Sequence, residues 1–243
     1  MPKNNYSDQR RKAATSLRAL GSILNRSGVC ADIGPISTAA EQCSRGAPHG
    51  PNSWGYDIAN LVFRMDVPGN TVPLQTKDFR VELSISVAGK YDEDEDDQFV
   101  SLEMNLEKYA YSAQGVELKS AWHFDRHIID TKKDDPHVTE DIHPLYHFQY
   151  GGARMYSLDG QLGTTLLLDP PRLMHPPMDG VLAIDFVLAN YAGGVWKALR
   201  MDHQYANLVL PQFKQFWQPY FSSVAAGWIQ PRVGRGEFLC PFF

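Results

Sequence analysis

Three stretches of strict two-residue alternation constrain this chain more than any other feature. Phe79, Val81, Leu83, Ile85 and Val87 point one way, and Arg80, Glu82, Ser84 and Ser86 the other. Val100, Leu102, Met104 and Leu106 repeat the pattern against Ser101, Glu103, Asn105 and Glu107, and Val116, Leu118, Trp122 and Phe124 repeat it with only Ser120 interrupting. Such a pattern makes a half-buried strand, because a one-residue slip would turn the whole apolar set into water. Tyr146, Phe148 and Tyr150 predict a fourth strand. Short connections predict an antiparallel meander with one dry and one polar face.

The period changes to helical on either side of this sheet. Ala13, Leu17, Leu20 and Leu24 form one stripe of an N-terminal helix over about 7–25, with Ser7 in position to cap it. Thr38-Ala39-Ala40-Glu41 has capping-box form and predicts the start of a short helix, and 44–56 reads as a loop. Asp179 is placed to cap a helix carrying Val181, Ile184, Leu188 and Tyr191 and broken at Gly193-Gly194. Pro211 suits a first helical turn, after which Phe213, Phe216, Trp217 and Tyr220 make an aromatic stripe that packs on the sheet. The expected fold class is α+β in one domain: an N-terminal helix, a sheet within about 60–168, helices over about 179–226 on one sheet face, and an irregular apolar tail from 227 to 243.

A chain of 243 residues with 43% hydrophobic content can build a sizeable core. A net charge of -5 gives no overall drive towards nucleic acid. There is no apolar run long enough to span a membrane, and the N-terminus lacks a signal-peptide core, so a cytoplasmic location is expected. Cys30, Cys43 and Cys240 are scattered and odd in number, which predicts reduced thiols. Three segments offer docking surfaces for a protein partner: the basic helix 7–26, with Arg10, Arg11, Lys12, Arg18 and Arg26; the acidic hairpin 92–97; and the apolar tail 238–243. The acidic run partly mimics a calcium loop, but Asp97 stands where the sharp turn needs glycine, and strands flank it instead of helices. It reads as a solvated loop that keeps a sheet end from sticking to other sheets.

The candidate chemistry lies between Trp122 and His175, which holds six of the eight histidines. Residues two apart in a strand share a face, so His123, Asp125 and His127 stand together opposite Trp122 and Phe124, and His147 and Gln149 stand opposite Tyr146 and Phe148. If the aromatics face the core in both strands, these polar groups meet. Three chemistries fit. One is a metal site for zinc, iron or manganese built from His123, Asp125 and His147, with His175 as a distal ligand held over the sheet by Pro170-Pro171 and Pro176-Pro177. Another is metal-free acid–base catalysis by His123, His127 and His147, with Asp125 orienting them. Arg126, Gln149, Arg154 and Arg172 would then bind the substrate, an anion at the arginines. The third is a structural set of satisfied imidazoles. Gly151-Gly152 would either admit a substrate to the backbone or bend the strand end.

Trp122 to Gly152, with His123-Phe124-Asp125 and then His143-Pro144-Leu145-Tyr146-His147, resembles bacterial toxin–antitoxin proteins of the TumE type. That resemblance implies a bacterial cytosolic protein from a defence or mobile-element setting, acting on RNA. The order Pro170-Pro171, His175-Pro176, Gly180 and Trp196 is similar to that of ubiquitin-conjugating domains, with Ala183 about where their catalytic cysteine stands, and implies an inactive, partner-binding relative. The leading expectation is a hydrolase of phosphodiesters. The alternative is a non-catalytic interaction subunit of a multi-protein assembly.

Overall fold

The computed structural model describes residues 6–46, 53–69, 71, 73–90, 97–127, 144–158 and 172–229. Two helices, α1 (Tyr6–Ser27) and α2 (Gly34–Arg45), lead into the strands β1 (Trp54–Arg64), β2 (Lys77–Gly89), β3 (Phe99–Tyr111), β4 (Glu117–Arg126) and β5 (Tyr146–Tyr150). A 3₁₀ turn (Ala153–Leu158) and a two-residue strand, β6 (Leu173–Met174), follow. The chain ends in α3 (Gly180–Tyr191), α4 (Gly193–Met201), α5 (His203–Gln212), a π turn (Phe213–Trp217) and α6 (Gln218–Ile229). The six strands form one sheet in sequence order, every neighbour antiparallel. The α+β class and the meander expected from alternation are both present.

The apolar side chains of β1 to β5 lie in one buried cluster with α1, α2 and the C-terminal helices. On α1 the buried set includes Leu17, Leu20 and Leu24, the expected stripe, although the helix already begins at Tyr6, so Ser7 does not cap it. α2 begins at Gly34 with a proline in its first turn, so Thr38 lies inside it and the capping-box reading fails. The Asp32 side chain instead accepts from Gly34 N at 2.7 Å.

β1 is a strand where a loop was expected as far as Tyr56. Its inward residues are Trp54, Tyr56 and Ile58, then Leu61 and Phe63, because a bulge between Ile58 and Leu61 shifts the parity. Asn60 adopts φ 52° there, and its amide N donates to Ser84 Oγ at 3.0 Å. A second irregularity, between Ala88 and Gly89, lets Phe99 and Leu102 both face inward, and Val100 is exposed. Val116 lies before β4 and is also exposed.

Asp179 caps α3, accepting from Leu182 N at 3.0 Å, as expected. The break falls at Ala192, and Gly193-Gly194 opens α4. Pro211 lies inside α5, near its end, and not in a first turn. Next to it the helix widens into the π turn, where Phe213, Phe216 and Trp217 sit. A proline offers no N–H to the preceding turn, so a looser repeat follows naturally from it.

Asp185 ties this helical layer together. Its buried carboxylate accepts from Trp196 Nε1 at 2.9 Å, Arg200 Nε at 3.0 Å and Nη2 at 2.7 Å, and Tyr205 OH at 3.0 Å. One acid on α3 thereby holds α4 and α5. Removing one partner of a buried pair leaves the other uncompensated, so Asp185→Ala should destabilise the fold by roughly 3–5 kcal/mol. Arg11→Ala breaks only the exposed pair with Asp8 and should cost under about 1 kcal/mol. Urea unfolding of both variants checks the contrast; equal, small losses would show that Asp185 does not organise the helices.

Candidate active site

Strand pairing brings the expected polar residues together. Across β3, β4 and β5, Asn105 stands opposite His123 and His123 opposite Gln149; one step along, Glu103 stands opposite Asp125 and Asp125 opposite His147. Directly opposed residues share a face, so these six side chains form two adjacent rows on the polar side of the sheet.

A chain of close contacts runs through them. Asn105 Nδ2 donates to Glu103 Oε1 at 3.0 Å, which turns the Asn105 amide oxygen towards His123 Nδ1 at 3.1 Å. His123 Nε2 lies 3.0 Å from Asp125 Oδ2. Asp125 Oδ1 lies 3.2 Å from His147 Nε2, a charge contact without hydrogen-bond alignment. His147 Nδ1 lies 3.0 Å from the Pro144 carbonyl oxygen. The side chains of His123 and Asp125 are each 29% exposed and that of His147 4%.

Chemistry assigns most of the protons. A carbonyl oxygen only accepts, so His147 carries a hydrogen on Nδ1, and its Nε2 faces the Asp125 carboxylate. Both nitrogens of His123 face acceptors, which favours the imidazolium. The hydrogen bond to Asp125 pushes the His123 pKa above 6.5 against the opposing effect of burial, and the charges of Asp125 and Glu103 add to the rise. Burial pushes the Asp125 carboxyl up, but the hydrogen bond from His123 and the charges of His147, His123 and His127 outweigh it and hold it below 3.8. His127 thus acts on Asp125 through its charge, from just beyond the end of β4.

Arg154 sits on the 3₁₀ turn, with Nη1 3.4 Å from Glu107 Oε2, and its charge reaches His123. Consecutive left-handed residues, Gly151 at φ 87° and Gly152 at φ 70°, bend the chain from β5 into that turn. Lys119 Nζ reaches the same Glu107 at 2.9 Å.

Two expected site residues lie elsewhere. Arg126 faces away from the cluster: its Nε and Nη2 donate to buried Asp97 Oδ2 at 3.1 and 2.9 Å, and the Tyr146 hydroxyl donates to Asp97 Oδ1. Its charge is spent on that carboxylate. His175 follows β6, whose Met174 stands opposite His147, and therefore emerges on the apolar side. Its ring packs edge-on to Phe124, Phe148, Phe186 and Trp217 at 5.1–5.8 Å, and burial lowers its pKa. It cannot join His123, Asp125 and His147 across the sheet. Arg172 sits one residue before β6. Among the described residues no group of three or more His, Cys, Asp or Glu side chains is arranged to hold a metal ion. His123 and Asp125 hydrogen-bond to each other instead, and His147 stands in charge contact with Asp125.

Asn105, Glu103 and Pro144 were not among the residues expected at this site. The parity of β3 could have supplied the first two, since Glu103 and Asn105 alternate with Met104 and Leu106; the Pro144 carbonyl carries no side-chain signal. Of the acidic hairpin only Asp97 is described, and it pairs with Arg126, while the remainder, 92–96, and the apolar tail 238–243 lie outside the described residues. No described helix is long and apolar enough to cross a membrane. No protein-family model, curated protein or solved structure matches the chain.

The pairing predicts a signature in stability. A raised His123 pKa contributes stability that is fully present below pH 6.5 and lost as pH rises through the folded value. A depressed Asp125 pKa contributes stability present above pH 3.8 and lost as pH falls through the folded value. His123→Gln should therefore destabilise the protein more at about pH 5.5 than at about pH 9, measured by chemical denaturation. The same loss at both pH values would mean that the charge of His123 contributes nothing.

Proposed function

We propose that the chain is a metal-free acid–base hydrolase of phosphodiesters, with RNA as the substrate class and a bacterial cytosolic defence role as its setting. One observation carries the reading: a single carboxylate, Asp125, lies between two imidazoles on neighbouring strands, one favoured as imidazolium and the other pinned through Nδ1. Two imidazoles that share one carboxylate repel each other when both are charged, so the second gains its proton less readily than the first and the pair is suited to separate acid and base roles. In this scheme His147 Nε2 takes the proton from the attacking hydroxyl, and His123 gives a proton to the departing oxygen. The proton on His123 Nδ1 is the one released at least cost, because its partner is the neutral Asn105 amide while the Nε2 bond to Asp125 is charge-assisted. Asp125 orients both rings, and Arg154 and Gln149, beside His123, are placed to hold a phosphate. The TumE-type resemblance of Trp122 to Gly152 supports RNA as the target.

A non-catalytic interaction subunit is the second reading, favoured by one specific observation. Both nitrogens of His123 already have partners within the protein, and the His147 side chain is only 4% exposed. An enzyme of the proposed kind has to open the Asn105 bond and admit substrate above Asp125.

Cleavage of mixed-sequence single-stranded RNA by the purified protein separates the two. Wild type should cleave without added divalent ions, and His123→Gln and His147→Gln should each lose roughly 10²–10⁴-fold in rate. The rate should follow a bell-shaped pH profile, and Asn105→Ala, which frees His123 Nδ1, should keep activity. If neither histidine variant is slower than wild type, or wild type is inert, the hydrolase reading fails.

A further inference from the structure

Lysine is among the residues least often buried, yet Lys108 stands on the core side of β3. It alternates there with Leu106 and Ala110, opposite Val81 of β2 and Ser120 of β4, neither of which carries a charge. Among the described residues no side chain forms a hydrogen bond or an ion pair with its ammonium. Its Nζ instead lies over two rings, 5.6 Å from the centroid of Tyr191 and 6.0 Å from that of Trp122. Tyr191, the last residue of α3, supplies no anion, because burial raises its pKa above 10.0. The side chain is half-buried, and Nζ still reaches solvent.

Lys119, on the polar face of the next strand, shows the contrast. Its Nζ lies 2.9 Å from Glu107 Oε1. Burial lowers its pKa, but the hydrogen bonds with Glu107 and Tyr109 outweigh that and raise it above 10.5. At Lys108 burial acts with no acid to oppose it, and the pKa is lowered. A larger share of Lys108 than of Lys119 is therefore free amine at neutral pH. Desolvation in apolar surroundings is one of the ways a lysine becomes a nucleophile.

We propose that Lys108 is a nucleophilic amine that condenses with a small aldehyde to form an imine. Nζ attacks the carbonyl carbon and a C–N bond forms. The carbonyl oxygen leaves as water with both hydrogens of the amine, a C=N bond remains, and nothing is oxidised or reduced. The charge of the product decides the class of partner. A protonated imine is still a cation, which the faces of Trp122 and Tyr191 attract. An acyl donor would leave a neutral amide, and carbon dioxide an anionic carbamate, and ring faces favour neither. The half-buried position admits a small aldehyde ahead of a bulky one. Lys108 and the histidine row lie on opposite faces of the sheet, and the proposal does not rest on the hydrolase reading.

Limiting glycolaldehyde with cyanoborohydride, which reduces an imine to a stable secondary amine, tests it on the folded full chain at neutral pH. Peptide mass spectrometry should find Lys108 captured ahead of every other lysine, with Lys119 far behind. Lys108→Gln should lose most of the captured label and Lys119→Gln none of it, with thermal melting confirming that both variants fold. In denaturing urea the lead of Lys108 should disappear, because the fold creates it. Capture of Lys108 no faster than Lys119, or the same order of capture in urea, would overturn the proposal. Acetylation of Lys108 by acetyl phosphate without capture of the aldehyde would overturn the assignment of a carbonyl partner.

Discussion

The register between β4 and β5 decides both faces of the sheet at once. Phe124 stands opposite Phe148, with ring centroids 4.6 Å apart, and in the same alignment Asp125 stands opposite His147. Burying the two phenylalanines fixes the pairing through the hydrophobic effect, and the pairing then places a carboxylate beside an imidazole on the far side. A slip by one residue would expose both rings and scatter the polar row. The candidate site is thus held by the apolar contacts behind it, and substitutions at Phe124 or Phe148 act on it without touching it.

The acids of this protein also sort by partner. Asp97 is held by Arg126 and Tyr146, and Asp185 by Arg200, Trp196 and Tyr205. Asp179 accepts from backbone N–H groups, and its burial raises its pKa to about 6. Those donors all keep their protons through the physiological range. Asp125 differs, because its side-chain partners are imidazoles, which gain or lose a proton near neutral pH. A carboxylate needed only for structure is better served by arginine or tyrosine, as Asp97 and Asp185 are. That contrast, more than the number of histidines, makes the Asp125 row the place to look for chemistry.

Much of this was legible in the sequence because period two is unambiguous when one face is dry. The alternation of 79–87 and 102–106, the aromatics of 146–150 and the cap at Asp179 are each one physical rule acting locally. β1 was hidden because the bulge at Asn60 breaks its alternation into two short pieces of opposite parity, Trp54 to Ile58 and Leu61 to Phe63. Arg126 could have been read correctly, since the parity that puts Asp125 outward puts Arg126 on the core side. His175 could not, because only the pairing of Leu173 and Met174 with β5 decides which face it joins. Pro211 misled for a similar reason: its tolerance in a first turn says nothing of a helix that loosens into a π turn around it.

The two polar features of the protein lie on opposite sides of the sheet and are built differently. In the His123–Asp125–His147 row both rings have hydrogen-bond partners within the protein, while Asp125 Oδ1 has a charge contact with His147 but no hydrogen bond. The Trp54 indole N–H, on the other side, has no hydrogen-bond partner among the described residues and is locked by Gly89, Phe99 and Phe216. An unmade bond at a rigid, enclosed donor is a cost the fold carries, whereas a carboxylate oxygen beside a titratable ring gains attraction whenever that ring is protonated.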